Sequence, residues 1–474
     1  MTELERKIRD VFQDACVLKS KQTKSVFAGK NLPSFIKDFL LKRYTDETGI
    51  LDKHRLLQFL ERHLPPKNTD IKFNLMQNQE EMILLTNFIV ESDVAKGVVR
   101  FAIPDLGIQL KDGIVPRYVL DGADELGGGE HWGSIKLLYV APEGREKGYI
   151  EMTSYKPFKP YRMNVELYKQ QRAQFDVLTW IDVLLRAMEY DASTFESLTQ
   201  KLRFLARLLI FVEPNLNIVE LAPKGTGKSY VFGNLSKYGW MMSGVVSRAK
   251  LFYDMQQKSK GAIARYDFVA MDEVHKIRFT DDEELASSLQ SYLEAGWTAV
   301  GNTRIDSKAG LMLLGNIPLD ERKVPLNRKY FDGFRESVFQ ETALLDRFHG
   351  FIEGWQLPRI KENMLINGWT INAEYFTEML SKLRDRSEYA MIVDRFIAVP
   401  NGADLRDTKA VKRLATAFLK LLFPHVETAT DISASDFKNF CFDPAMRMRS
   451  IIREQMHYLD REYSKMMPRL EVPF

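Results

Sequence analysis

The run Ala222-Pro-Lys-Gly-Thr-Gly-Lys-Ser229 constrains this 474-residue chain more than any other stretch. The apolar segment NIVELA leads straight into it, and the amphipathic VFGNLSKYGW follows. A glycine-rich loop between a buried strand and a helix lets backbone N–H groups turn inward around phosphates. A lysine then reaches the terminal phosphates, and the next hydroxyl serves a magnesium ion. Pro223, Lys224, Gly225, Thr226, Gly227, Lys228 and Ser229 are therefore expected to bind ATP, with Ser229 also on Mg²⁺. Ala222 stands where such loops usually begin with glycine, a strand-end position that accepts a small residue. The competing reading, a lysine-serine pair after a chance glycine turn, does not account for the strand and helix on the correct sides.

Three further apolar runs end in chemistry. YDFVAMDEVHK closes a buried-strand pattern on Asp272 and Glu273. The first acid suits the Mg²⁺ shell, and the second can polarise an attacking water. Alone, such an ending describes many solvated strands; beside the loop it argues for hydrolysis. GLMLLGNIP ends in Asn316, whose amide can position water near the γ-phosphate, or can simply form a turn before Ile-Pro. ALLDRFHGF carries Arg347, which fits insertion into a neighbouring subunit's site. It fits an ion pair with Asp346 or Glu353 as well. GADLRDTKAVKRL sets Arg406 near a helix start, where it could touch the phosphates from a lid. Lys409, Lys412 and Arg413 compete for that role, and a solvated basic face is the other reading.

Around these motifs the texture changes in blocks. Residues 1–92 read as a helical N-terminal domain, through SFIKDFLLKRY and HRLLQFLERHL, the latter stopped by Pro65-Pro66. Residues 93–165 carry short β-rich runs between glycine, proline and aspartate turns. They suggest a small barrel or sandwich, an OB-like barrel among the options, with a strand order that is not legible. Residues 166–360 hold leading helices and then alternate as a parallel α/β sheet does. A helical lid is expected over 361–430 and a C-terminal helix within 431–474, starting at Asp443-Pro444 and running to about Met466. The fold class is thus α/β, a P-loop core with a helical lid behind a helical and β-rich N-terminal region.

Other classes recede. Cys16 and Cys441 sit at opposite ends, so no disulfide framework or zinc spacing can be built, and the seven histidines are scattered. MTELERKIRD lacks an apolar signal core, and the most apolar stretch, Leu202 to Leu221, is broken by Arg203, Arg207, Glu213 and Pro214. The expectation is a cytoplasmic protein without a membrane partner. Its net charge is only +3, so any nucleic-acid surface must be local.

Two basic sets qualify. The polar stretch Asn302 to Lys308 reads as the tip of a β-hairpin before the Asn316 strand, with Arg304 and Lys308 facing phosphates or merely solvent. SYKPFKPYR interleaves Lys156, Lys159 and Arg162 with Tyr155, Phe158 and Tyr161, which suits nucleic acid and also suits a proline-broken edge strand. Ser247 to Lys250 is a weaker third candidate, and Gly127 to Gly129 reads as a turn.

The order of loop, acidic pair, sensor asparagine, finger arginine and lid arginine resembles the AAA+ superfamily. LLDRF and GADLRD are similar to the finger box and lid sensor of Lon-type ATPases. More closely, NIVELAPKGTGKSY, FVAMDEVHK, GLMLLGNIP, ALLDRFHGFIEGWQLPRI and GADLRDTKAVKRLATAFLKLLFPH resemble BrxL, the Lon-like AAA+ component of BREX phage-defence systems. That resemblance implies a homo-oligomeric ring, a hexamer or stacked rings, that uses Mg²⁺ and ATP. It implies double-stranded DNA and other BREX defence proteins as partners, with ATP turnover coupled to DNA encirclement or translocation. Longer relatives carry a Lon-protease-like domain with a serine-lysine dyad. No such segment follows the lid here, so an ATPase rather than a protease is expected. The reading from another class is an AAA+ protein remodeller that serves a separate protease. It would want an aromatic pore loop, and the aromatics of MMSGVVSRAKLFYDM look buried.

Overall fold

A computed structural model describes every residue except 21, 22, 24, 29, 31, 47, 48, 67, 68, 79, 94–96, 124, 125, 127, 128, 145, 146, 257, 258, 281 and 474. The chain divides into two compact units, one of Met1–Lys21, Leu32–Phe39 and Met163–Phe474, the other of Gln22–Asn31 and Leu40–Arg162.

Among the described residues of the second unit, five strands close into a barrel. In chain order they are Met82–Asp93, Val98–Ile103, Ile108–Val115, Gly129–Val140 and Tyr149–Pro157. Around the barrel they neighbour one another as first, second, third, fifth and fourth. The third and fifth run parallel, and the other pairs run antiparallel. Alternate residues such as Phe88, Val90, Ile135 and Leu137 are fully buried, as the two-residue period of a strand requires. The helical texture expected up to residue 92 ends earlier, because Met82–Asp93 is the first barrel strand. Its MILLTNFIV run satisfies both three–four and alternating spacing, and its Thr, Phe, Ile and Val favour the pleated surface once partners exist on both sides.

The first unit is built on a five-stranded parallel sheet, ordered Gly350–Glu353, Asn217–Ala222, Gly310–Asn316, Phe268–Met271 and Gly239–Met242. NIVELA and FVAM are buried at every position, the signature of parallel strands covered on both faces. Each fully buried large apolar side chain contributes about 2 kcal/mol, so even a four-residue strand such as Phe268–Met271 is well anchored. Asn316 pairs with Ala222, and Met271 pairs with Leu313, so three neighbouring strands end along one edge.

The C-terminal helix does not begin at Asp443. The chain is already helical from Ala434, capped by Ser433, and passes through a π-helical turn at Lys438–Phe442 into Asp443–Leu459. Asp443-Pro444 imitates a helix start, but proline's missing N–H is accommodated by the wider turn before it. Among the described residues no helix is long and apolar enough to cross a membrane.

Candidate active site

The loop after Asn217–Ala222 depends on two glycines, with Gly225 at φ +85° and Gly227 at φ +76°. A Cβ on Gly227 would also come within 2.8 Å of the Tyr190 hydroxyl and 3.2 Å of Ile360 Cγ1. The Gly225 carbonyl accepts the Ile360 N–H at 2.8 Å. The Thr226 carbonyl accepts Arg207 Nη1 at 2.9 Å, and the Thr226 hydroxyl donates to the Pro223 carbonyl at 3.3 Å. Pro223 and Lys224 line a cleft of about 1420 Å³ together with His275 and Asn316. That is room enough for a nucleoside triphosphate.

Four of the expected side chains meet in two pairs. Lys228 Nζ donates to Asn316 Oδ1 at 2.9 Å, and the Ser229 hydroxyl donates to Asp272 Oδ2 at 2.7 Å. Burial pushes the Lys228 pKa down, against the pull of Glu220 and Asp272. Glu273 stands at φ +50°, a left-handed backbone that costs about 1 kcal/mol for a residue with a side chain. Its carboxylate accepts Lys276 Nζ at 2.9 Å, and this bond holds its pKa below the usual range. Ser229 and Asp272 offer the hard oxygen donors that magnesium takes. Among the described residues no group of three or more His, Cys, Asp and Glu could hold a metal. One hydroxyl and one carboxylate fit an ion that draws its other ligands from phosphate and water.

Arg347 follows the short helix Thr342–Leu345. Its Nε lies 3.2 Å from Glu294 Oε2. The two acids considered as its intramolecular partners are engaged elsewhere. Asp346 is held by Arg449 and Arg406, each at 2.6 Å, and Glu353 by Arg203 at 3.2 Å and Arg447 at 2.5 Å. Arg406 lies in the first turn of Leu405–Leu422, which Asp404 caps by accepting the N–H groups of Arg406 and Asp407. The structure groups it with Arg347, because its guanidinium bonds Asp346 and also reaches Glu294 at 3.3 Å.

The candidate DNA contacts fall into two sets. Trp297–Val300 and Thr303–Asp306 form an antiparallel hairpin with a turn at Gly301-Asn302. Arg304 lies on its second strand, 2.8 Å from Asp306 and 4.3 Å over the Trp297 ring, and Lys308 lies 2.8 Å from Asp385. In the other unit Lys156, Lys159 and Arg162 are exposed at and beyond the end of the last barrel strand, whereas Phe158 is buried. Ser247 caps the short helix Arg248–Leu251, with Arg248 paired to Glu284. Gly127 and Gly128 lie outside the described residues.

Sequence reasoning passed over several groups around the site. Arg207 counted only as a charge that interrupts an apolar run, and Glu220 as part of a strand. The signal was there, since a charge inside a stretch that is otherwise wholly buried needs a partner. Glu294 and Arg449 left no comparable mark, because their partners are distant in sequence.

Residues 150–469 match the family model described as the ATPase domain of Lon-like protease BrxL-like proteins. Residues 10–139 match the model described as the N-terminal region of the BREX system Lon protease-like protein BrxL. Two curated relatives share the name Lon-like protease BrxL. The one from Escherichia coli O9:H4 (strain HS) is 28% identical over 451 residues, covering 94% of this chain and 63% of its own length. The one from Bacillus cereus (strain H3081.97) is 27% identical over 419 residues, covering 87% and 61%. The chain thus spans a little over three-fifths of the length of these relatives.

Proposed function

The chain belongs to the BrxL family, and from that premise we propose that it is an AAA+ ATPase whose subunits form a ring on double-stranded DNA in BREX-type phage defence. The observation that carries the reading is the meeting of Lys228 with Asn316, and of Ser229 with Asp272, at the ends of three neighbouring parallel strands. Lys228 holds the β- and γ-phosphates, and Ser229 with Asp272 would hold Mg²⁺, which would supply charge to offset what develops on the transferred phosphoryl group. Asn316 orients the attacking water, and Glu273 accepts its proton after leaving Lys276. Arg347 completes the site of the next subunit, and Arg406 accompanies it. The helices within residues 361–430 act as the lid.

The DNA part rests on the barrel and the hairpin. A barrel ordered first, second, third, fifth, fourth has the strand order of an OB-type barrel, a scaffold that binds oligonucleotides. Exposed Lys156, Lys159 and Arg162 supply phosphate contacts on that unit, and Arg304 with Lys308 supplies them on the other. The protein-remodeller reading is weaker, because Phe252, in the segment that would furnish a pore loop, is fully buried. The ring, a hexamer by resemblance, then encircles or translocates along the duplex.

The test is ATPase rate and duplex gel-shift on the wild type and on Glu273→Gln. The variant should bind ATP and turn it over at least about 100-fold more slowly, the loss expected of a missing general base. Wild type without turnover would remove the ATPase reading. Absence of a duplex shift at low salt, with and without ATP, would remove the DNA reading.

A further inference from the structure

Beneath the glycine-rich loop, Arg207 and Glu220 form an ion pair with no exposed side-chain surface on either partner. Glu220 belongs to the strand that feeds the loop, and Arg207 to the helical turn Ala206–Leu208. The contact is bidentate, Nε to Oε2 at 2.9 Å and Nη2 to Oε1 at 2.5 Å. The third nitrogen, Nη1, donates to the Thr226 carbonyl at 2.9 Å. The Phe204 ring covers the guanidinium, with its centroid 4.5 Å from Cζ.

A wholly buried ion pair adds little net stability, because desolvation offsets the attraction; an apolar pair of similar volume often serves as well. What an apolar pair cannot do is donate to a carbonyl. The carbonyls of Gly225 and Thr226 are each tied from outside the loop, by the Ile360 N–H and by Arg207. With those oxygens held back, the loop amides are left to face an anion.

We propose that Arg207 and Glu220 are positioning residues for the phosphate loop: Glu220 aims the guanidinium, and the guanidinium holds the Thr226 carbonyl away from the phosphates before nucleotide arrives. The inference rests on the reading of the loop as an ATP site and adds two residues outside the motif. Presetting a loop in this way lowers the ordering cost of binding without a new contact to the ligand. It acts on ground and transition states alike, so it appears in KM and not in kcat.

The test uses the full chain with Arg207→Lys, which keeps the charge but not the fork, and the double variant Arg207→Met, Glu220→Leu. Melting temperature, affinity for a fluorescent ADP analogue, kcat and KM are measured on each. The double variant should melt near the wild type, while Kd and KM rise about tenfold, the equivalent of one lost charge-assisted hydrogen bond, with kcat little changed. Arg207→Lys should show the same weakening, and it decides by the same affinity measurement if the double variant does not fold. Wild-type affinity in a folded variant overturns the positioning role. A wild-type chain that binds no nucleotide overturns the reading of the loop instead.

Discussion

Arg347 and Arg406 reach the same carboxylate oxygen: Arg347 Nε lies 3.2 Å and Arg406 Nη2 3.3 Å from Glu294 Oε2. Glu294 lies in the Asp282–Ala295 helix, and Asp346, the other acid bound by Arg406, is shared with Arg449. The two guanidiniums therefore form one pair around the Glu294 carboxylate. If Arg347 serves a neighbouring subunit as proposed, Arg406 stands beside it.

Mixed rings test this. Arg347→Ala chains and Lys228→Ala chains are each expected to be nearly inactive alone, and their mixture should recover part of the ATPase rate. Arg406→Ala mixed with Lys228→Ala should recover in the same way if both arginines serve the neighbour's nucleotide. Arg406→Ala mixed with Arg347→Ala should recover far less, because every interface formed with such chains lacks one arginine. Recovery in that last mixture, or none in the first two, would show that the pair does not act between subunits.

Arg449 offers a way to disturb the finger without touching it. Its fully buried guanidinium donates to the carbonyls of Asp346 at 3.0 Å and Phe348 at 2.6 Å, the residues on either side of Arg347. It also binds the carboxylates of Asp346 and Asp407, each at 2.6 Å. Arg449→Lys keeps the charge but cannot satisfy four acceptors, and should lower stability by about 2 kcal/mol, the cost of leaving a buried acceptor without its donor. Below its melting point it should bind ADP with wild-type affinity and hydrolyse ATP slowly. Chemical denaturation and single-turnover ATPase check the two halves; a wild-type turnover rate would detach Arg449 from the finger.

The candidate site's geometry was legible because each strand announces its end. NIVELA, FVAM and GLMLLG are apolar runs that stop on a glycine loop, an acid pair and an asparagine, and a parallel sheet brings those ends together. What could not be read depends on partners far apart in the chain. Nothing local tells Glu294 that it will lie between Arg347 and Arg406, or Arg207 that it will lie under Thr226. Barrel order was closed to sequence for the same reason, since the strands paired in parallel through Gly113 and Ile150 have another strand, Gly129–Val140, between them in the chain. Asp443-Pro444 misled in the opposite sense: the local signal was correct in form, but a helix was already in progress.

Two histidines with lowered pKa values should make the fold acid-sensitive. His349 is partly buried, its Nδ1 accepts the Asn217 N–H at 3.0 Å, and desolvation, helped by Arg413 and Arg449, pushes its pKa well below 6.5. His425 is pushed down to about 4 by burial and then by Arg172. In the unfolded chain both take up protons below about pH 6.5, whereas the folded chain leaves them neutral until much lower. Their contribution is thus fully present above that value and is lost as the pH falls through and below it. Melting temperature should decline from pH 6.5 downward, and His425→Phe with His349→Asn should flatten that slope even where it lowers the plateau. An unchanged slope would assign acid sensitivity to other groups.

Salt dependence distinguishes the two candidate DNA surfaces. Each Lys or Arg that neutralises a phosphate contributes about 0.9 to the slope of log affinity against log salt. Replacing Lys156, Lys159 and Arg162 together by alanine should therefore lower the slope by two to three, roughly. Arg304 behaves differently, because Asp306 binds it at 2.8 Å and brings a negative charge toward the same phosphate. Exposed pairs of this kind are weak and can be exchanged for a phosphate. If Arg304 meets DNA, Asp306→Asn should tighten binding, whereas Arg304→Ala should weaken it. Fluorescence anisotropy with a labelled duplex over a salt series measures all three. A triple variant with the wild-type slope would clear the barrel of phosphate contacts, and Asp306→Asn without effect would leave the hairpin a solvated one.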